Sequence, residues 1–389
     1  MDQSKRPIYL DYQATTPVDP RVVEAMLPYF TEHFGNPASN SHIYGNEALA
    51  AVEKSREILA KSIQAKSQEI TFTSGATEAI NLAIKGVAIA NEKKGRHFIT
   101  AATEHKAVLD CFAWLERNGY ETTILPVDSG GLISIDDLKS AIRPDTVMIS
   151  IMAANNEIGV LQPIEEIGGI CREAGVYFMT DATQALGKIP INVQSQNIDL
   201  LAASAHKIYG PKGIGMLYVR RSNPKVQLVA QIDGGGHERG LRSGTLPTPQ
   251  IVGFAKAVEL ANMEYKEETR RLMNLRNKLE AQIQNLIPSA ILNGNRERRL
   301  PNNLNFSFPG VEAEALIASL VGKLAISSGS ACTSAEIKPS HVLEGIGCSV
   351  SRARSSVRIG IGRFTTEEEI DQATDALRNE FQRLLTFSA

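Results

Sequence analysis

The chain has 389 residues, 22% charged and 43% hydrophobic, which is an ordinary globular balance and a length that favours two domains of unequal size. Its 41 basic and 43 acidic residues leave a formal charge of −2, arguing against nucleic acid or an anionic membrane as a partner. Apolar stretches break before the roughly 20 residues that a membrane span needs, and Met1-Asp2-Gln3-Ser4-Lys5-Arg6-Pro7 holds no apolar signal core, so a cytoplasmic protein is expected.

Four cysteines, Cys111, Cys171, Cys332 and Cys348, show neither C-x-x-C pairing nor metal-ligand spacing with histidine, and no metal site is expected. In a reducing compartment each defaults to a buried, inert thiol. Three of them keep that default. Two basic clusters, Arg296-Glu297-Arg298-Arg299 and Arg352-Ala353-Arg354, read as solvated loops.

From about residue 69 to 220, short β-branched runs alternate with amphipathic stretches. Residues 69–73 read as a strand, followed by a helix with Ile80, Ala83, Ile84 and Val87 on its apolar face. Strands are expected at 97–100, 122–125, 147–151, 176–179, 200–203 and 215–219, and helices at 107–117, 135–141 and 164–174. Such alternation builds an α/β fold with a mostly parallel sheet between helices, and ligands collect at the carboxyl ends of its strands. A charged helix at about 249–285 leads to a smaller α+β unit. That unit has a strand at 304–308, a helix at 312–320, the 324–335 region, a strand at 356–361 and a last helix from Thr366. The expected division is 15–262 for a large domain, and 1–14 with 263–389 for a small one.

Three strand ends carry chemistry. Thr73-Ser74-Gly75-Ala76-Thr77-Glu78 runs from strand to helix, where unpaired N–H groups and the positive dipole end make an anion site. Taken alone, a plain helix cap with Ser or Thr is the better explanation. Phe178-Met179-Thr180-Asp181 ends an apolar strand in a carboxylate, which reads as a pocket group or an N-cap. Ala203-Ser204-Ala205-His206-Lys207 sets a lysine after a buried strand, a costly place for an ammonium group unless it is paired or covalently used. An aldehyde cofactor explains all three, with Lys207 as its Schiff base and Asp181 keeping a pyridine nitrogen protonated. Each motif is weak by itself; the three together are much stronger.

A wider set of segments resembles the cysteine desulfurase family from about residue 7 to 380. It comprises Tyr9-Leu10-Asp11-Tyr12-Gln13-Ala14-Thr15-Thr16-Pro17, Gly35-Asn36-Pro37-Ala38-Ser39, Ser74 to Glu78, Thr103-Glu104-His105-Lys106 and Asn155-Asn156-Glu157-Ile158-Gly159. Asp181-Ala182-Thr183-Gln184, Gly234 to Arg239, Arg242-Ser243-Gly244-Thr245 and Ser327-Ser328-Gly329-Ser330-Ala331-Cys332 complete it. The resemblance implies a PLP-dependent transferase fold of the aspartate-aminotransferase-like type, pyridoxal 5'-phosphate as cofactor and L-cysteine as substrate. It also implies roles. His105 would stack on the pyridine face and exchange protons with the substrate. Gln184 would bond the phenolic oxygen, and Asn156 would sit near that oxygen and the substrate. Thr77 with the backbone at Ala76, Ser204 and His206 would bind the phosphate. Thr245 would reach the phosphate of a neighbouring subunit, making an obligate homodimer. Arg358 would grip the substrate carboxylate. One departure is Ala205, where the family usually has glycine; a methyl there should only tighten packing.

Cys332 lies among small polar residues, a composition that suits a mobile loop better than a buried thiol. The functional reading is a thiolate nucleophile that attacks the substrate sulfur and becomes a persulfide. The run 328–351, with Gly329, Gly345, Gly347 and a helical patch only around 341–344, is expected to open at little cost. In the implied reaction Lys207 removes the α-proton, alanine leaves, and Cys332 carries sulfur to an acceptor protein. The long cysteine loop resembles the subclass serving iron–sulfur scaffolds, although the chain stops at Ala389 without that subclass's extended docking tail, so the acceptor stays open. The rivals are a same-fold aminotransferase, which needs no loop cysteine, and a selenocysteine lyase. A non-catalytic docking homologue is opposed by intact Lys207, Asp181, His105 and Cys332.

Overall fold

Alternating apolar residues place their side chains on opposite faces of a strand, and here both faces are covered. A computed structural model describes residues 6–328 and 339–388. After a two-residue strand β1 (Ile8–Tyr9) come β2 (Ile70–Thr73), β3 (His97–Ala101), β4 (Glu121–Leu125), β5 (Thr146–Ser150), β6 (Tyr177–Asp181), β7 (Leu200–Ser204) and β8 (Gly215–Val219). These last seven form one sheet in the order β2-β8-β7-β6-β5-β3-β4. Strand β8 runs antiparallel to both neighbours, and the remaining pairs are parallel. Phe178, Leu201 and Ala203 enter the core on one face, while Tyr177, Met179, Leu200 and Ala202 enter the core on the other. The helices Ala76–Ala90 and Lys106–Arg117 close that second face through Ile80, Ile84, Val108 and Phe112.

The helix Thr248–Leu286 belongs to two cores in succession. Ile251, Phe254 and Val258 pack with the large sheet, whereas Leu272, Leu275, Leu279 and Ile283 pack with the smaller unit. That unit contains β9 (Ile291–Leu292), β10 (Asn303–Ser307), β11 (Leu324–Ala325) and β12 (Ser356–Gly360). β10 lies antiparallel between β12 and β9, and β11 pairs in parallel with β1. Leu10, Phe306, Phe308, Val357 and Phe381 fill its core. The helices Ile135–Ala141 and Ile164–Ala174 and strand β8 fall where the sequence pattern sets them. Other element ends move by a residue or two, the usual uncertainty at frayed termini.

Three expectations need correction. Arg299 is buried rather than solvated, donating to the carbonyls of Asn293 and Asn295, although Arg296 and Arg298 of the same cluster are exposed. Arg352 and Arg354 lie on a short helix, Val350–Arg354, and Arg352 donates to Asn293 Oδ1 at 2.6 Å. A buried asparagine needing a donor holds that guanidinium in place. The later half of the run 328–351 is packed, because Val342, Leu343 and Ile346 form an apolar cluster with Ile158 and Val160. The segment 329–338, and Cys332 with it, lies outside the described residues. Ala205 is fully buried, and a Cβ on Gly210 would come within 2.8 Å of its methyl, so the methyl is accommodated by glycine next to it.

The loop carrying Arg242 and Thr245 is fastened by a buried ion pair. Arg56 donates to both oxygens of Glu238, at 2.7 and 2.8 Å, and the amide of Phe72 on β2 donates to Glu238 Oε2 at 2.7 Å. The two side chains are 3% and 1% exposed. Removing Glu238 takes away the buried partner of Arg56 and leaves it Glu53 on Nε, at 3.1 Å, and the Ile70 carbonyl. Glu238→Ala should therefore lower stability by about 3–5 kcal/mol. Denaturant titration of both forms checks it, and a loss below about 1 kcal/mol would mean that Arg56 finds another partner or water.

Candidate active site

The carboxyl ends of β2, β3, β5, β6 and β7 open into one cavity of about 540 Å³, within the range of small-molecule sites. Strand β6 ends in Asp181, whose Oδ1 accepts from the amide of Thr183 at 2.9 Å, fixing the carboxylate at the sheet's mouth. After β7 a 3₁₀ turn, Ala205–Lys207, carries the lysine into the same space. Lys207 Nζ donates to the carbonyls of Gln13 at 2.6 Å and Ala14 at 2.7 Å.

At the anion end, the helix Ala76–Ala90 starts from Gly75 with no side-chain cap. Its first-turn amides have no intrahelical acceptors and face the cavity with Thr77, Ser204, His206 and Lys212. His206 is held near pKa 4, first by burial and then by Lys207 and Lys212, so it is a neutral hydrogen-bonding group there. His105 N-caps the helix Lys106–Arg117. Its Nδ1 accepts from the amide of Ala107 at 3.1 Å, which leaves the ring proton on Nε2. Burial pushes its pKa below the ordinary value; Asp181 opposes this and Lys207 adds to it. Glu104, fully buried next to it, has its pKa raised well above the carboxylate range by burial, against the hydrogen bond it accepts from the Met152 amide at 2.7 Å.

Arg358, in the middle of β12, reaches the cavity from the smaller sheet. Its guanidinium donates to Asp11 Oδ1 at 2.8 Å and to the carbonyl of Asn156 at 3.1 Å, while its buried Nε has no hydrogen-bond partner among the described residues. Asp11 Oδ1 is also held by Ser327 Oγ at 2.9 Å.

Ten of the expected site residues line this cavity: Ala76, Thr77, His105, Asn156, Asp181, Gln184, Ser204, His206, Lys207 and Arg358. Thr245 does not line it and is exposed on its loop. Cys332 lies outside the described residues. Sequence reasoning missed Gln13, Ala14 and Thr15. Gln13 takes both Lys207 and Gln184 Nε2 on its carbonyl, and Thr15 Oγ1 meets His206 Nδ1 at 3.1 Å. Only the resemblance of residues 9–17 hinted at them, since a backbone carbonyl has no signature in a side-chain reading.

These residues fit pyridoxal 5'-phosphate. An uncapped helix end with hydroxyls suits a phosphate, and a carboxylate suits a pyridine nitrogen. A lysine held by carbonyls suits an aldehyde.

Known proteins point to the same cofactor. The Aminotransferase class-V family model matches residues 8–373. The cysteine desulfurase IscS of Anaeromyxobacter dehalogenans is 54% identical over 384 residues, covering 99% of this chain and 95% of the relative. That of Neisseria meningitidis is 55% identical, covering 99% and 94%. Among solved structures, a NifS-like protein superposes with a TM-score of 0.90 at 38% identity, covering 98% of this chain and 100% of the other. SspA in complex with cysteine gives a TM-score of 0.80 at 40% identity, covering 92% and 100%. The architecture is that of the PLP-dependent transferases, and the chain belongs to the cysteine desulfurases of the class-V aminotransferase family.

Proposed function

We propose that this enzyme removes sulfur from L-cysteine with pyridoxal 5'-phosphate as cofactor, releasing L-alanine and leaving the sulfur as a persulfide on Cys332. The observation that carries this reading is the convergence of Lys207, Asp181, a neutral His105 and an uncapped helix end in one cavity, with Arg358 entering from the smaller sheet. Bound there, the cofactor supplies an electron sink that makes the substrate's α-proton acidic and its Cβ–S bond cleavable.

The chain's own residues do the rest. The Ala76 backbone, Thr77, Ser204 and His206 donate to the phosphate, and Asp181 keeps the ring nitrogen protonated. Gln184 and Asn156 serve the phenolic oxygen. Lys207 anchors the aldehyde carbon and, once cysteine takes its place, carries the α-proton. His105 has Nδ1 occupied, so Nε2 is the atom left for proton exchange with the substrate. Arg358 holds the substrate carboxylate. Cys332, as thiolate, then forms a bond to the substrate sulfur while the Cβ–S bond breaks. The electron pair stays on the carbon fragment, which takes a proton to become alanine. The persulfide passes to acceptor proteins, with an iron–sulfur scaffold as the first candidate.

We place the active unit in a homodimer in the cytoplasm, with domains of 15–262 and 1–14 plus 263–389. A partner surface is supported by exposed Leu27, Phe30, Phe34, Ile43 and Tyr44, with Phe34 and Tyr44 stacked 5.6 Å apart. Thr245, exposed beyond the Arg242–Glu78 ion pair, suits a residue that serves a neighbour's phosphate. Cys111, Cys171 and Cys348 are free, buried thiols, as a reducing compartment allows. The domain division is supported by Leu10 packing with residues of 272–381.

Lys207→Ala should lose the visible absorption of bound cofactor and all turnover of cysteine to alanine; alanine formation at the normal rate would rule out the assignment. A keto acid in place of alanine and sulfide would point to an aminotransferase. Arg358→Ala should raise KM for cysteine roughly 10- to 100-fold, as expected for lost hydrogen bonds to a charged group. An unchanged KM would assign the carboxylate to another residue. Mixed dimers of Lys207→Ala and Thr245→Ala subunits should regain activity at one of two sites. If the Thr245 defect is large, hybrids form and none is regained, each site is self-contained.

A further inference from the structure

Gln184 is held from behind by a lysine that lies outside the cavity. It follows Asp181 in the turn after β6 and is 3% exposed. Four residues on, Lys188 Nζ donates to Gln184 Oε1 at 3.1 Å, while Gln184 Nε2 donates to the Gln13 carbonyl at 2.9 Å. The two ends of a carboxamide are alike in shape and differ only in hydrogen bonding, so neighbours decide which way it points. An ammonium group can only donate, and a carbonyl can only accept. Turning the amide over would set its NH₂ against Lys188 and its oxygen against the Gln13 carbonyl. With Lys188 protonated one orientation survives, and once it loses its proton the Gln13 carbonyl alone selects it.

The lysine's surroundings explain why it is spent on this contact. Lys207 and Glu268 act on it electrostatically, and Glu268 is already engaged by Arg363 at 2.7 Å. Tyr209, Tyr265 and Arg363 share with it a small cavity of about 20 Å³, room for one water. Burial first, and Lys207 second, bring its pKa down to about 7, with Glu268 opposing. An apolar side chain would fill this place without that cost.

We propose that Lys188 is a positioning residue that locks the Gln184 amide with its N–H side toward the cavity, ready to donate to the cofactor's phenolic oxygen. This rests on the reading of Gln184 given above. The same Gln13 carbonyl takes Lys207 Nζ at 2.6 Å, so the amide and the anchoring lysine are tied to one acceptor.

The test is a pH titration of the holoenzyme's visible absorption without substrate. A donor on an anionic oxygen lowers the chromophore's proton affinity, so losing it raises the midpoint. Gln184→Ala should raise it. Lys188→Met, which keeps the volume and loses the donor, should raise proton affinity roughly threefold to tenfold. Because removing a positive charge near Lys207 would act in the same direction, the double variant decides: Lys188→Met should add nothing once Gln184 is alanine. A further rise in the double variant, or no rise in Lys188→Met while Gln184→Ala does shift, overturns the inference. No shift in Gln184→Ala would remove the reading of Gln184, and this inference with it.

Discussion

A primary ammonium group at the end of a buried strand has to find acceptors, and Lys207 finds them in a segment 193 and 194 positions earlier in the chain. The carbonyls of Gln13 and Ala14 accept two of its N–H groups. Much of the site follows from this contact. Thr16 Oγ1 donates to the His206 carbonyl and accepts from the Tyr209 amide, and Gln184 shares the Gln13 carbonyl. At its other end the same strip belongs to the smaller unit, with Leu10 in that core and Asp11 bridged to Gly360. Residues 10–16 are thus pinned to both sheets, so a shift of β12 is felt at the lysine turn.

Burial decides which groups around the cavity carry charge. His206 and His105 are both pushed down, so at neutral pH both rings are uncharged, while burial pushes Glu104 up. A phosphate entering the anion end meets oriented N–H and O–H donors and the helix dipole, with Lys212 as the nearby cation. The arrangement favours proton donation at His105, whose neutral ring carries its proton on Nε2 because Nδ1 accepts from the Ala107 amide. It also has a cost in acid. The unfolded chain binds a proton at His206 from about pH 6.5 downward, but the folded chain only near 4. That contribution to stability is present above the window and is lost as pH falls through it.

Strands and helices of the large sheet were legible because their apolar residues alternate or recur at helical spacing over long stretches, as in residues 164–174 and 215–219. Asp181, Lys207 and the Ser74–Glu78 turn were legible because polar residues end apolar strands. What sequence could not show was tertiary pairing. Arg299 and Arg352 look like surface charge until Asn293 is placed between strands, where its amide and carbonyl oxygens need donors. Lys188 looks like an exposed residue in Leu186-Gly187-Lys188-Ile189, and only folding turns it onto Gln184. Gln13 and Ala14 act through their backbone, which every residue has.

On the proposed reading, Arg358 shows how the same strip would set geometry for a substrate. Its guanidinium is 3% exposed and is fixed in its plane by two contacts from different parts of the chain, Asp11 and the Asn156 carbonyl. Among the described residues these use one N–H on each terminal nitrogen and leave the Nε–H unpaired, which on the proposed reading serves an incoming carboxylate. A fork held this way recognises a planar, bidentate anion, which a lysine's rotating ammonium would not. Because Asp11 already offsets the charge, attraction at a distance is weak and binding depends on the fit of the hydrogen bonds. On the proposed reading this favours a monoanionic amino acid with its carboxylate in the right plane. Asp11 stands two residues before Gln13, so the partners of Arg358 and Lys207 sit on one short piece of backbone. An insertion or deletion in that strip would move both contacts at once.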